Sequence, residues 1–216
     1  MEADARTRAA RVIGVDLQTA VVVRALRVAQ VRAVLLKGPA LSALLYDPGE
    51  LRSYCDIDLL VAERDTAAAG CVLQRLGYRP LVSDAALDGH RRVHAHEWTS
   101  AGGVSVDLHR TLPGATAAPE VVFRTLAAQT RTLSVGGEPI EMLEESAALV
   151  QVALHAAHHG PRSGNATQEV ERAVRRHPEA AWLEAAALAA QIGAGHAFAA
   201  GLRRCSDGVA LADRLG

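Results

Sequence analysis

Asp56 and Asp58 stand one residue apart in the run DIDLLV. On a strand, the two-residue side-chain period points both carboxylates to one face. Adjacent anions repel, so such a pair is costly unless a cation lies between them. Hard divalent cations such as Mg2+ take oxygen ligands and accept bridging carboxylates. A third acid, Asp107, sits between Val106 and Leu108 in the alternating stretch VSVDLH, where an unpaired carboxylate is equally unwelcome. Three strand-borne aspartates make a two-metal clamp if their strands are neighbours. The ordinary structural alternative has Asp56 capping a turn, Asp58 paired with Arg52 and Asp107 facing solvent on an edge strand. The D-h-D pattern alone does not separate the two.

A phosphate-binding set lies just upstream. Gly38 follows the apolar run AVLLK and precedes PALSALLYD, so its neighbouring backbone N–H groups can approach phosphates without a Cβ in the way, helped by the helix N-terminus. Lys37 adjoins it. Arg52, four residues before Asp56, can bring a planar fork to the same phosphates. A cradling turn, two cations and three metal-ligand candidates in this order form a coherent site for a nucleoside triphosphate. Lys37 is also the one lysine among 23 basic side chains, all the rest arginine. A composition that replaces lysine so thoroughly makes its retention beside Gly38 informative, because a compact ammonium and a planar guanidinium are not interchangeable at a crowded phosphate site.

Those residues need elements to hold them. Residues 15–31 repeat apolar groups at helical intervals, with Asp16 as a first-turn acid. Residues 33–37 read as a strand, and the segment from Pro39 as a helix with proline in its opening turn. The Pro-Gly content of 47–55 marks a loop, 56–61 a strand, and about 64–76 a helix closed by Gly77. Strands follow at about 78–82, 93–98 and 104–109, then a hairpin of 130–135 and 139–142 about Gly136-Gly137. From 143 the pattern is helical, at about 143–159, 167–177, 179–192 and 195–214, with a break near Asp207-Gly208. The shift predicts an α+β chain in two parts, 1–142 of strands mixed with helices and 143–216 helical.

With 216 residues, 50% of them hydrophobic, the chain can complete its core without disulfides or a structural metal. A net charge of −1 gives no long-range pull on polyphosphate, so a nucleic-acid partner is disfavoured. The three cysteines are widely spaced with no C-x-x-C, which suits a reducing compartment. Charge runs through the first residues, and no apolar stretch approaches the ~18 residues of a membrane span. The expectation is a soluble, cytoplasmic protein without a membrane partner.

The run LLKGPALSALLYDPGELRSYCDIDLLV, with GVSVDLH, resembles the uncharacterised bacterial nucleotidyltransferase-like proteins of the DNA polymerase β nucleotidyltransferase superfamily. Their signature is a Lys-Gly turn, an arginine a few residues before D-h-D, and a later strand acid followed by Leu-His. The tail, with VALHAAHHGP and AWLEAAALAAQIGAGHAFAAGLRR, is similar to theirs too. The resemblance implies a nucleotidyltransferase-type small mixed sheet bearing the three acids, two Mg2+ ions, with Mn2+ as an alternative, and transfer of a nucleoside monophosphate, AMP from ATP, to a hydroxyl or similar group of a small molecule or peptide, with release of pyrophosphate. Asp56 and Asp58 would hold both metals, and Asp107 would complete the second site and help activate the acceptor. Lys37 and Gly38 would contact the triphosphate and Arg52 support it. Many superfamily members have a Gly-Ser turn close to the acids. Here Pro39 follows Gly38, and Asp56 lies 18 positions beyond that glycine, so one hydroxyl contact to phosphate is missing. Similar proteins are often encoded beside genes for peptide natural products, which hints at natural product biosynthesis.

Among the histidines, His109 shares a strand face with Asp107 and is a candidate for substrate contact. His155, with His158 and His159, crowds a helix end where imidazolium complements the C-terminus, and His155 is the second substrate-contact candidate. His94 and His96 share a strand face but lack a third ligand. Cys55 reads as a buried thiol facing away from Asp56, and Glu169 matches an acid that recurs in the tails of similar proteins. Two other functions remain open: a toxin-like nucleotidyltransferase acting on RNA through Arg91-Arg92, Arg175-Arg176 and Arg203-Arg204, and a non-catalytic nucleotide-binding module.

Overall fold

A computed structural model describes residues 2–81, 94–159 and 164–215. The chain divides into two compact units, one of residues 1–110 with 131–142, the other of 111–130 with 143–216. Residues 111–130 thus associate with the helical unit, where the sequence boundary at 142 groups them with the sheet.

The first unit is built on a seven-stranded mixed sheet. In chain order its strands are β1 (Ala33–Leu35), β2 (Asp56–Val61), β3 (Arg79–Pro80), β4 (Ala95–Thr99), β5 (Ser105–His109), β6 (Thr130–Val135) and β7 (Glu138–Leu143). Across the sheet they run β3-β4-β5-β2-β1-β7-β6. β2 runs antiparallel to β1 and parallel to β5, placing Asp58 beside Asp107, and β4 runs antiparallel to β5. Three helices join this sheet: α1 (Glu2–Val28), α2 (Pro39–Leu45) and α3 (Thr66–Arg75), the last entered through a 3-10 turn at Glu63–Asp65. Alternation along β2 and β5 divides their side chains between two faces. Ile57, Leu59, Val61, Val106 and Leu108 join Val15, Val22 and Leu26 of α1 and Ala69, Val72 and Leu73 of α3 in one buried core. The other face carries the acids.

Gly70 of α3 shows how tight this core is, since a Cβ there would meet the Trp98 ring of β4 at 3.0 Å. α1 begins at Glu2, well before residue 15. Asp16 therefore lies in mid-helix and is not a first-turn acid.

The second unit holds α4 (Pro119–Ala127), α5 (Glu145–His159), α6 (Gly164–Arg176), α7 (Glu179–Gln191), α8 (Gly195–Leu202) and α9 (Ser206–Leu215). α5 is buried almost all round, from Ala147 to Leu154 and at Ala156, as expected of the central helix of a bundle. It touches α6, α7 and α8. A Cβ on Gly201 would stand 1.9 Å from the Ala153 carbonyl oxygen, so α8 packs on α5 backbone against backbone. The break in the tail falls at 203–205, ahead of Asp207 and Gly208, which lie inside α9. Among the described residues no helix is long and apolar enough to cross a membrane.

Candidate active site

The polar face of the sheet collects the sequence candidates on β2 and β5 and on the turn after β1. Asp58 is buried, with 1% of its surface exposed, and its Oδ1 takes two contacts. Lys37 Nζ lies 2.6 Å away and His109 Nε2 3.0 Å away. Burial alone would raise the Asp58 pKa. The hydrogen bond from His109 and the charge of Lys37 outweigh it and hold the carboxyl well below the usual range. Lys37 shows the mirror image: burial works against its charge, and Asp58, aided by Asp56 and Asp107, restores it and raises the pKa.

Asp107 is compensated only in part. Burial, then repulsion from Asp58, push its pKa up to about 6, with His109 working the other way. Two carboxylates on neighbouring strands thus share too little positive charge between them, which is the environment a divalent cation relieves. One ligand atom each from Asp58, Asp107 and His109 lies within 4.8 Å of the others, so the donor set fits such an ion. Asp56 is half-buried on the same face, two residues before Asp58, and stands outside that tight group. His109, a candidate for substrate contact, bonds to Asp58 through Nε2. Its Nδ1 is buried without a hydrogen-bond partner among the described residues.

The turn after β1 is fixed by Arg52 and by Tyr54, a residue the sequence did not point to. Gly38 has φ +60° and ψ −122°, backbone that L side chains rarely adopt. The Tyr54 ring packs against its Cα, 3.5 Å from where a Cβ would stand. Tyr54 donates from its hydroxyl to Asp16 Oδ1 of α1 at 2.7 Å, and burial followed by that bond raises the phenol pKa. Arg52 donates to the Gly38 carbonyl at 3.4 Å and lies over the Tyr54 ring, 5.6 Å from its centroid. Arg52, Gly38 and Tyr54 thus form one stack tied to α1. An aromatic two residues before D-h-D was the available signal, but its partner Asp16 lies 38 positions away in sequence and gave none.

Other candidates fall elsewhere. His155 is half-buried on α5 of the helical unit, its ring 4.4 Å from that of His159. Glu169 is buried on α6. His96 pairs in register with Leu108, so it faces away from the acids, while the His94 ring lies 5.7 Å from His109. Cys55 is exposed, contrary to expectation, because it precedes β2 and escapes the strand's alternation. Arg91-Arg92 lies outside the described residues.

A mixed sheet with aspartates on adjacent strands beside a strained glycine turn is the architecture of a nucleotidyltransferase. The chain belongs to the family described as "Uncharacterised nucleotidyltransferase", whose model matches residues 1–208. Its fold is similar to that of the antibiotic-resistance factor ANT(2'')-Ia in solution, at TM-score 0.57 and 16% identity over 85% of this chain and 94% of that one. A crystal structure of ANT(2'')-Ia in complex with adenylyl-2''-tobramycin aligns at TM-score 0.55 and 16% identity, covering 79% and 94% of the two chains. The lincosamide antibiotic adenylyltransferase LnuA, lincomycin-bound, aligns at TM-score 0.46 and 17% identity over 68% and 89%. No curated protein matches the sequence.

Proposed function

We propose that this nucleotidyltransferase transfers AMP from ATP to a hydroxyl or similar group of a small polar molecule or a peptide, releasing pyrophosphate. The observation that carries the reading is the juxtaposition of Asp58, Asp107 and Lys37 on one sheet face beside the Gly38 turn. The complex of ANT(2'')-Ia with adenylyl-2''-tobramycin supports a small-molecule acceptor by analogy of fold.

Asp56, Asp58 and Asp107 would hold two Mg2+ ions, with His109 orienting Asp58. When bound, such ions supply positive charge to the triphosphate and the developing phosphorane. Lys37, which pairs with Asp58 at the edge of the site, would offer its ammonium to the polyphosphate. The Gly38 backbone receives phosphate oxygens where no Cβ intrudes, and Arg52 holds the turn through its carbonyl. Catalysis on this account is orientation and charge placement.

Incubation with each of the four NTPs and a cell lysate, followed by mass spectrometry, tests the proposal. It predicts a component heavier by one AMP moiety, absent when Asp58→Asn replaces the native chain. Labelling that persists with Asp58→Asn would contradict it.

A further inference from the structure

Glu97 has no part in the site as described so far, and the register of the sheet gives it one. It stands directly opposite Asp107 in the β4–β5 ladder, and Asp107 stands beside Asp58 in the β5–β2 ladder. A single row across three strands therefore carries three carboxylates on one face. The backbone bonds from Ser100 to Val104 and from Arg110 to His94 identify hydrogen-bonded pairs of the β4–β5 ladder. Because pair types alternate, Glu97 and Asp107 form a non-hydrogen-bonded pair, the type with Cα atoms only about 4.5 Å apart and side chains closest. Like charges directly opposite destabilise a sheet. Glu97 is exposed, and the residues flanking it on its own face of β4 are the short Ala95 and Thr99.

The order of the row has mechanistic meaning, and this inference rests on the nucleotidyl transfer proposed above. The Lys37-Gly38 turn follows β1, Asp58 is on β2, Asp107 on β5 and Glu97 on β4, in that spatial sequence. In an in-line displacement at phosphorus, the leaving group and the nucleophile occupy opposite sides. Polyphosphate at the β1 end brings the acceptor in over β4. Asp107 would be taken up in holding cations, whereas Glu97 stands one strand further out.

We propose that Glu97 is the general base for the acceptor. As the acceptor oxygen bonds to the α-phosphorus, the bond from that phosphorus to its bridging oxygen breaks and pyrophosphate leaves with the electron pair. The hydroxyl proton passes to the Glu97 carboxylate and then to solvent. The products are the nucleotidylated acceptor and pyrophosphate.

The test uses the full chain with Mn2+ and α-labelled ATP. Water, giving AMP, and hydroxylamine serve as surrogate acceptors. The neutral nitrogen of hydroxylamine can attack before it loses a proton. Glu97→Gln should slow hydrolysis about 100-fold and the hydroxylamine reaction less than about tenfold, with partial recovery in Glu97→Asp. Affinity for a non-hydrolysable α,β-methylene ATP should be unchanged. Removing the like-charge pair should also raise the melting temperature of the metal-free protein, by about 1–3 °C. Hydrolysis within about threefold of native, or equal losses with both nucleophiles, would overturn the assignment, since a base is worth far more than that and acts on one nucleophile only. Asp58→Asn separates the two claims. If it is inactive while Glu97→Gln is unimpaired, only the base is wrong; if it is as active as the native chain, the nucleotidyl-transfer reading itself fails.

Discussion

The Lys37–Asp58 contact sets the electrostatics of the site at the scale of single residues. Both partners are almost fully buried, with 12% and 1% of their side chains exposed. Removing one partner of a buried pair leaves an uncompensated charge, so Lys37→Met should cost about 3 kcal/mol in metal-free protein by urea unfolding. A loss well under 1 kcal/mol would mean that His109 alone satisfies Asp58. The pH dependence has two parts. Asp58, held below its ordinary value, contributes stability that is complete above pH 3.8 and lost as acid protonates it. Asp107, raised to about 6, does the reverse: its ionisation destabilises the metal-free fold progressively from pH 3.8 to about 6 and by a constant amount above. Melting curves in EDTA should therefore show Asp107→Asn gaining on the native protein through that window. Stabilisation by Mg2+ should be largest above pH 6 and fade below, because cation binding needs the carboxylate. Equal Mg2+ stabilisation at pH 5 and pH 7.5 would contradict this.

Elements position these residues, and here the sequence was legible in part. The periodicity of DIDLLV and VSVDLH, with the glycine after AVLLK, was enough to place the acids on strands and Gly38 at the turn. That β2 and β5 are parallel neighbours could not be read from either strand, because pairing is set by the whole sheet. Tyr54 was invisible for the same reason, its partner lying on α1. Glu97 was read only as part of a strand bearing His94 and His96, and its meaning depends on register with Asp107. α4 also went unread, its nine residues lying between proline- and glycine-containing segments. The turn can be tested directly. Gly38→Ala places a Cβ at φ +60°, which costs about 1–3 kcal/mol, while the Cβ itself would meet the Tyr54 ring at ordinary contact distance. Tyr54→Phe removes only the tie to Asp16. Both should raise the KM for ATP more than they lower kcat, as measured by pyrophosphate release. A pure kcat effect would place the stack in the chemical step.

At the scale of the whole molecule, the helical unit is a bundle packed at small residues. Gly201→Ala would drive a Cβ into the Ala153 carbonyl, and separating α8 from α5 should cost about 1–3 kcal/mol by thermal or chemical unfolding. An unchanged midpoint would mean that the two helices part without penalty. The sequence pattern reads this half as helical, but the break in the tail is misplaced because Gly208 continues a helix, α9. The family assignment makes the chain a nucleotidyltransferase, and experiment is to identify its acceptor.

The bond that breaks in ATP is the most direct test of the account. ATP labelled separately at the α- and γ-phosphates, incubated with native protein and Mg2+, should release the γ-label as pyrophosphate and retain the α-label on AMP or an AMP adduct. Neither product should form with Asp58→Asn. Release of orthophosphate in place of pyrophosphate, or unchanged pyrophosphate release by Asp58→Asn, would contradict a nucleotidyl transfer built on these aspartates.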